Sequence, residues 1–214
     1  MQTPLICHLW RKLLFDTRVL LHYLKDSRNL GILSLGRLTA GKDWKHIWSR
    51  LKENVLKKNS FTKKDYVNTQ RYIGSLKKNE YVQRMKNYIQ HGRITTFKHC
   101  ERVAAMSYYI NRRFKLHADN KVMLKAAMLH DFYLYDWHDK DNGEHNWHGY
   151  IHATKAMNNA RKFLNFGRHE QQVIYSHMWP LNITRVPRSK EAWIVCLADK
   201  YISIRETLFE RKKK

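Results

Sequence analysis

The sequence predicts an all-α protein: a helical bundle with a basic helical extension at its N-terminus. Three observations carry that prediction. Its 214 residues include only 8 glycines and 3 prolines, so little in the chain interrupts helices. Apolar residues recur at three- and four-residue intervals, the period of a helix with one buried face. Several alternating, strand-like runs in succession are nowhere found. A break at Asn59-Ser60, just before a helix-start signal, divides the chain into an extension over residues 1–60 and a main domain over residues 61–214.

Within the extension, Leu9, Leu13, Leu20, Leu21 and Leu24 keep a loosely helical spacing until Gly31 and Gly36 interrupt it. Trp44, Ile47, Trp48, Leu51 and Val55 then share one face of a second helix, whose other face is mostly Lys, Arg and Glu. Thr62, with Asp65 three residues on, has the pattern of a capping box and opens the next helix. Val82, Met85 and Ile89 predict a helix over residues 80–90 that Gly92 ends. From Thr96 onward His99, Val103, Met106 and Ile110 line one helix face, so His99 points into the core. Residues 121–130 are apolar nearly all round, which suits a central helix.

Residues 134–147 break the helical order with Asp136, His138, Asp139, Asp141, Gly143, Glu144 and His145, and predict a substrate-facing loop or lid. A calcium loop does not fit, because Gly143 and Tyr150 occupy positions five and twelve, counted from Asp139. His148 and His152 stand one turn apart, in line with Ala156 and Ala160. Val173, Ile174 and His177 gather on a helix that Pro180 stops. Ser189 caps a last helix running through Leu208, with Ala192, Val195, Cys196, Asp199 and Ile202 on one face.

Composition narrows the function classes. Forty-one Lys and Arg against eighteen Asp and Glu leave a net charge of +23, which favours polyanionic partners: phosphorylated small molecules, nucleic acid or anionic membranes. Between Arg37 and Arg93, 15 basic residues interleave with aromatics such as Trp44, Trp48, Tyr66 and Tyr72. That pattern could grip nucleic acid, although its helical spacing fits aromatic core and solvated lysines better. Cys7, Cys100 and Cys196 are scattered in apolar surroundings, which suits reduced core thiols and excludes a paired-cysteine zinc site. The first residues lack a basic n-region, and the apolar run 192–198 is far too short for a bilayer, so the expectation is a soluble, cytoplasmic protein without membrane contact.

The stretch from Ala126 to Phe132 holds the first anomaly, His130-Asp131 at the end of an apolar run. A carboxylate there is costly to bury unless positive charge holds it. The same holds for Asp199, and His99, His148, His152 and His177 also sit on apolar helix faces or helix ends. One shared metal centre accounts for all of them together, whereas separate buried partners would be needed otherwise. Imidazoles and carboxylates without thiolate suit Fe, Mn, Co or Ni at least as well as Zn.

At these residues the sequence resembles the HD superfamily of metal-dependent phosphohydrolases, whose pattern H…HD…H…H…D is carried on a helical bundle. The segments His99 to Val103, Leu129-His130-Asp131, His148-Gly149 with Ala153, Ile174 to His177 and Leu197-Ala198-Asp199 are most similar to small bacterial HD hydrolases, including those that cleave diadenosine tetraphosphate. The resemblance implies an HD-domain bundle and a phosphohydrolase acting through metal-activated water on a nucleotide or related phosphate. It implies His99, His130, Asp131 and Asp199 as ligands of one divalent ion, with Asp131 bridging to a second. His148 and His177 match the positions of the second ion, but His152 replaces a residue that is usually small, so either His148 or His152 is the ligand. Arg102 and Lys155, each a turn beyond a histidine, are candidate phosphate contacts. Three other readings fit parts of the chain: a nucleic-acid-binding protein using the basic N-terminal helices, a nucleotide-binding regulatory module without turnover, and a di-iron oxygenase of HD fold.

Overall fold

The computed structural model describes residues 62–139 and 148–209. The expectations for residues 1–61 and for Asp141, Gly143, Glu144 and His145 lie outside the described residues. Among those described, the chain is predominantly helical: α1 (Lys63–Lys77), α2 (Glu80–Gln83), α3 (Thr96–Phe114), α4 (Asn120–Leu129), α5 (His148–Leu164), α6 (Arg168–Ser176) and α7 (Lys190–Phe209), with a two-stranded sheet, β1 (Ile89–His91) and β2 (Ile94–Thr95). No helix among the described residues is long and apolar enough to cross a membrane.

Helix starts follow their caps. Thr62 and Asp65 form the reciprocal box, with Asp65 N–H donating to Thr62 Oγ1 at 3.2 Å and Thr62 N–H to Asp65 Oδ2 at 2.9 Å. Thr95 accepts from Lys98 N, Asp119 from Lys121 N and Val122 N, and Ser189 from Ala192 N, so α3, α4 and α7 each begin on a side-chain oxygen.

Helix α4 is the axis of the bundle. Met123, Leu124, Ala126, Ala127, Met128 and Leu129 are all fully buried, because α1, α3, α6 and α7 each pack against it. Its two alanines leave room for neighbouring helices to approach the end where His130 and Asp131 follow. Helix α5 holds the chain leaving that end: Asn159 Nδ2 donates to the carbonyls of Phe132 and Tyr133 at 2.9 and 3.1 Å.

The expected helix over residues 80–90 is corrected. After the single turn of α2 the chain tightens into a 3-10 turn, Arg84–Asn87, and then extends into β1. Gly92 ends no helix; with a φ of 59° it turns the hairpin between His91 and Ile94. A two-residue hairpin turn needs a positive φ, which glycine adopts without steric cost. The β-branched residues Ile89, Ile94 and Thr95 favour extended backbone on either side. The hairpin carries Gln90 into the interior, where it is 7% exposed.

Candidate metal centre

His99 lies on α3, His130 and Asp131 at the C-terminal end of α4, His152 on α5, His177 at the end of α6 and Asp199 on α7. All six are buried. Their side chains converge: His99, His130 and Asp199 place ligand atoms within 4.8 Å of one another, as do Asp131, His152 and His177.

Each imidazole is held by its Nδ1. His130 Nδ1 contacts the Ala127 carbonyl at 2.8 Å, His177 Nδ1 that of Ile174 at 2.7 Å and His152 Nδ1 that of His148 at 2.7 Å. A carbonyl only accepts, so each Nδ1 carries the proton and each Nε2 of a neutral ring presents a lone pair. His99 Nδ1 meets Glu206 Oε2 at 2.8 Å, which fixes its ring in the same sense. Four Nε2 atoms therefore face inward, oriented as metal-ligating imidazoles are oriented by their outer partners.

The Asp131 carboxylate stands between the two groups. Its Oδ2 lies 3.3 Å from His130 Nε2 and 3.7 Å from His99 Nε2. Its Oδ1 lies 3.3 Å from His152 Nε2 and 3.5 Å from His177 Nε2. Asp199 Oδ1 completes the first group, 3.3 Å from His99 Nε2 and 3.5 Å from His130 Nε2. Gln90 Nε2 donates to Asp131 Oδ2 at 2.7 Å, and its own amide oxygen accepts from Tyr133, which also pairs with Thr96 at 3.1 Å. Lys200 Nζ holds the His177 carbonyl at 2.8 Å.

Two features of this arrangement call for a cation. His152 Nε2 and His177 Nε2 are 3.0 Å apart, and two neutral rings so tethered would oppose lone pairs at that distance. Positive charge between them, as a proton or a metal ion, removes the repulsion. His130 Nε2 and Asp131 Oδ1 are buried without a hydrogen-bond partner, a state that a coordinate bond would relieve. The donor set fits a divalent ion in each half.

The electrostatics point the same way. Burial would raise the carboxyls, yet His130 and the imidazoles around it hold Asp131 well below the ordinary carboxylate range, and His130 with His99 does the same for Asp199. Burial would lower His99, but Asp199 and Glu206 raise it to about 10. His177 goes the other way, pushed down to about 4 chiefly by burial. A divalent cation supplies the charge these carboxylates demand without protonating the imidazoles.

His148 stands apart from the converging atoms. Its ring stacks on His152 with centroids 4.6 Å apart, and its Nδ1 meets the Tyr135 hydroxyl at 2.8 Å. Lys155 Nζ lies over the Tyr135 ring, 4.7 Å from its centroid. Arg102 NH1 is ion-paired with Glu206 Oε1 at 3.0 Å and so reaches the centre through that carboxylate and His99. Cys100 Sγ touches His130 on its Nδ1 side, at 3.6 Å, away from the inward lone pair.

Gln90 and Glu206 were not among the residues expected from sequence. Glu206 carried a readable signal, since it lies seven residues after Asp199 and shares its helix face. Gln90 carried none, because its position depends on the hairpin.

The family model of the HD domain matches residues 96–204, just over half of the chain, and takes in every converging histidine and aspartate. The chain belongs to the HD domain family. Neither the curated proteins nor the solved structures supply a match. HD domains are generally metal-dependent phosphohydrolases, and in this HD domain buried His and Asp groups offer ligand atoms for divalent metal.

Proposed function

We propose that this HD domain hydrolyses a nucleotide or a related phosphate ester or anhydride, dinucleoside polyphosphates included, and holds two divalent cations. The observation that carries the reading is the division of one buried carboxylate: Asp131 turns one oxygen to His99 and His130 and the other to His152 and His177. His99, His130, Asp199 and Asp131 would hold one ion, and Asp131, His152 and His177 the other. Fe, Mn, Co, Ni or Zn suits such nitrogen and oxygen donors. When bound, such ions lower the pKa of water to near neutrality and neutralise charge on phosphoryl oxygens.

The chain's own groups prepare that chemistry. The Nδ1 tethers fix four rings before any ion arrives, and Gln90 prevents the Asp131 carboxylate from rotating. His148 is assigned beside the site, packed between His152 and the aromatic segment that begins with Tyr133 and Tyr135. Lys155, whose Nζ lies over the Tyr135 ring, is assigned a substrate phosphate. Arg102 is assigned to bracing Glu206 and, with Lys155, to the substrate phosphate.

Metal analysis of the purified protein, then a phosphatase screen over mono-, di- and dinucleoside phosphates with each divalent ion, tests the proposal. Asp131→Ala is expected to lose bound metal and at least a hundredfold in turnover, on the scale of about 10–100-fold for weaker outer-partner changes. Retained turnover removes Asp131 from the mechanism. Nucleotide binding without hydrolysis assigns the regulatory role instead, and oxygen consumption with a polyol assigns an oxygenase.

A further inference from the structure

The four inward imidazoles are not held alike. His130, His152 and His177 give their Nδ1 protons to main-chain carbonyls three or four residues earlier in sequence. His99 alone gives its proton to a carboxylate, Glu206, 107 residues away and 1% exposed. The other Glu206 oxygen is clamped by Arg102, so the carboxylate is anchored from both sides. Glu206 lies beyond residues 96–204, the span of the family match, as does Gln90.

We propose that Glu206 is a positioning residue for His99 and makes the His99–His130–Asp199 half the tighter of the two cation sites. The inference rests on the two-ion reading above. A carboxylate accepting the Nδ1 proton draws electron density onto the imidazole and strengthens Nε2 as a donor, more than a neutral carbonyl does. The same half also has two carboxylates within reach, Asp199 Oδ1 and Asp131 Oδ2, while among the described residues the His152–His177 half has only Asp131 Oδ1. Both differences favour the same side. The ions therefore load in order: the first between α3, α4 and α7, the second between α4, α5 and α6.

The test is calorimetric titration of the metal-free full-length protein with Mn²⁺ and with Co²⁺, reading the number of sites and each dissociation constant, beside the visible absorption of the Co²⁺ form. Wild type is expected to bind two ions with resolved constants. Glu206→Ala should weaken the tighter site about 10–100-fold, leave the weaker one in place and shift the absorption of the first Co²⁺ equivalent. Glu206→Gln keeps an acceptor for Nδ1 and should recover part of the loss, which a merely structural defect would not. Arg102→Met should reproduce a smaller fraction of it. Far-ultraviolet circular dichroism of the metal-free variants establishes that they fold, and Glu206→Gln decides the matter if the alanine variant does not. Unchanged constants in Glu206→Gln and Arg102→Met, or equal weakening of both sites, overturns the proposal while the two-ion reading stands. A wild type that binds no divalent ion overturns both.

Discussion

At the level of single residues, position 152 matters most for the proposed ligand set. A helix brings His148 and His152 to one face, and the sequence leaves both as candidates. In the structure, His152 Nε2 is 3.3 Å from Asp131, whereas His148 uses its Nδ1 on Tyr135 and is pushed down to about 3 by burial and by the neighbouring His152. We expect His152→Ala to lose one equivalent of bound metal and His148→Ala to keep both equivalents while hydrolysis falls; elemental analysis of the two variants separates them. A second residue of this kind is Asp65. Burial would raise its carboxyl, but Arg112, at 2.6 and 2.9 Å, and the Thr62 cap outweigh burial and hold it below the usual range. A lowered folded-state pKa means that its contribution is complete above the unfolded value of about 4 and is lost as pH falls through the folded one. Asp65→Asn should therefore cost about 1–2 kcal/mol at pH 7, with the gap to wild type closing below about pH 4, read by urea unfolding across pH.

Among the elements, α4 and the hairpin do most to place the centre. Leu124 is fully buried in α4 among helices on several sides, so Leu124→Ala should cost about 2–5 kcal/mol by denaturant unfolding. The hairpin matters through its turn. Gly92→Ala forces a side chain into a φ of 59°, at a cost of about 1–2 kcal/mol, and loosens the strand that aims Gln90 at Asp131. Turnover should fall more in that variant than its lost stability alone would produce, as measured well below its melting temperature. The helices of the main domain were legible because caps and apolar period act over one or two turns: Thr62 with Asp65, Ser189, and the apolar run of residues 121–130 all mark elements that form. Residues 80–90 misled, because Val82, Met85 and Ile89 keep a helical spacing while the chain tightens and then extends. Burial against α3 overrides the local period there.

Across the molecule as a whole, the buried His and Asp groups tie metal to stability. Helices α3, α4, α5, α6 and α7 carry or lead into these inward side chains, so a bound cation would add a link among segments that already meet through packing, hydrogen bonds and ion pairs. An ion at a hundred times its dissociation constant stabilises the folded state by about 2.7 kcal/mol per site. Chelation should lower the melting temperature by about 5–10 °C for each site emptied, and titrating Mn²⁺ back should restore it. The net charge of +23 acts on a different scale. It should produce nucleic-acid binding that weakens steeply between 50 and 200 mM salt and persists in Asp131→Ala, as measured by fluorescence anisotropy. Binding confined to phosphorylated small molecules would exclude the nucleic-acid role.

What the sequence by itself determined is local or compositional: the helical class, the starts of the helices capped by Thr62 and Ser189, the net positive charge, and the placing of His99, His130, Asp131, His177 and Asp199 on buried helix faces or helix ends. The tertiary structure alone decided that His152 and not His148 faces Asp131, how the Asp131 oxygens divide between two histidine groups, and that Gln90 reaches that carboxylate. The reason is geometric. A helical period tells which face of a helix is buried, but the rotation and depth at which helices meet depend on packing between residues as far apart as His99 and Glu206.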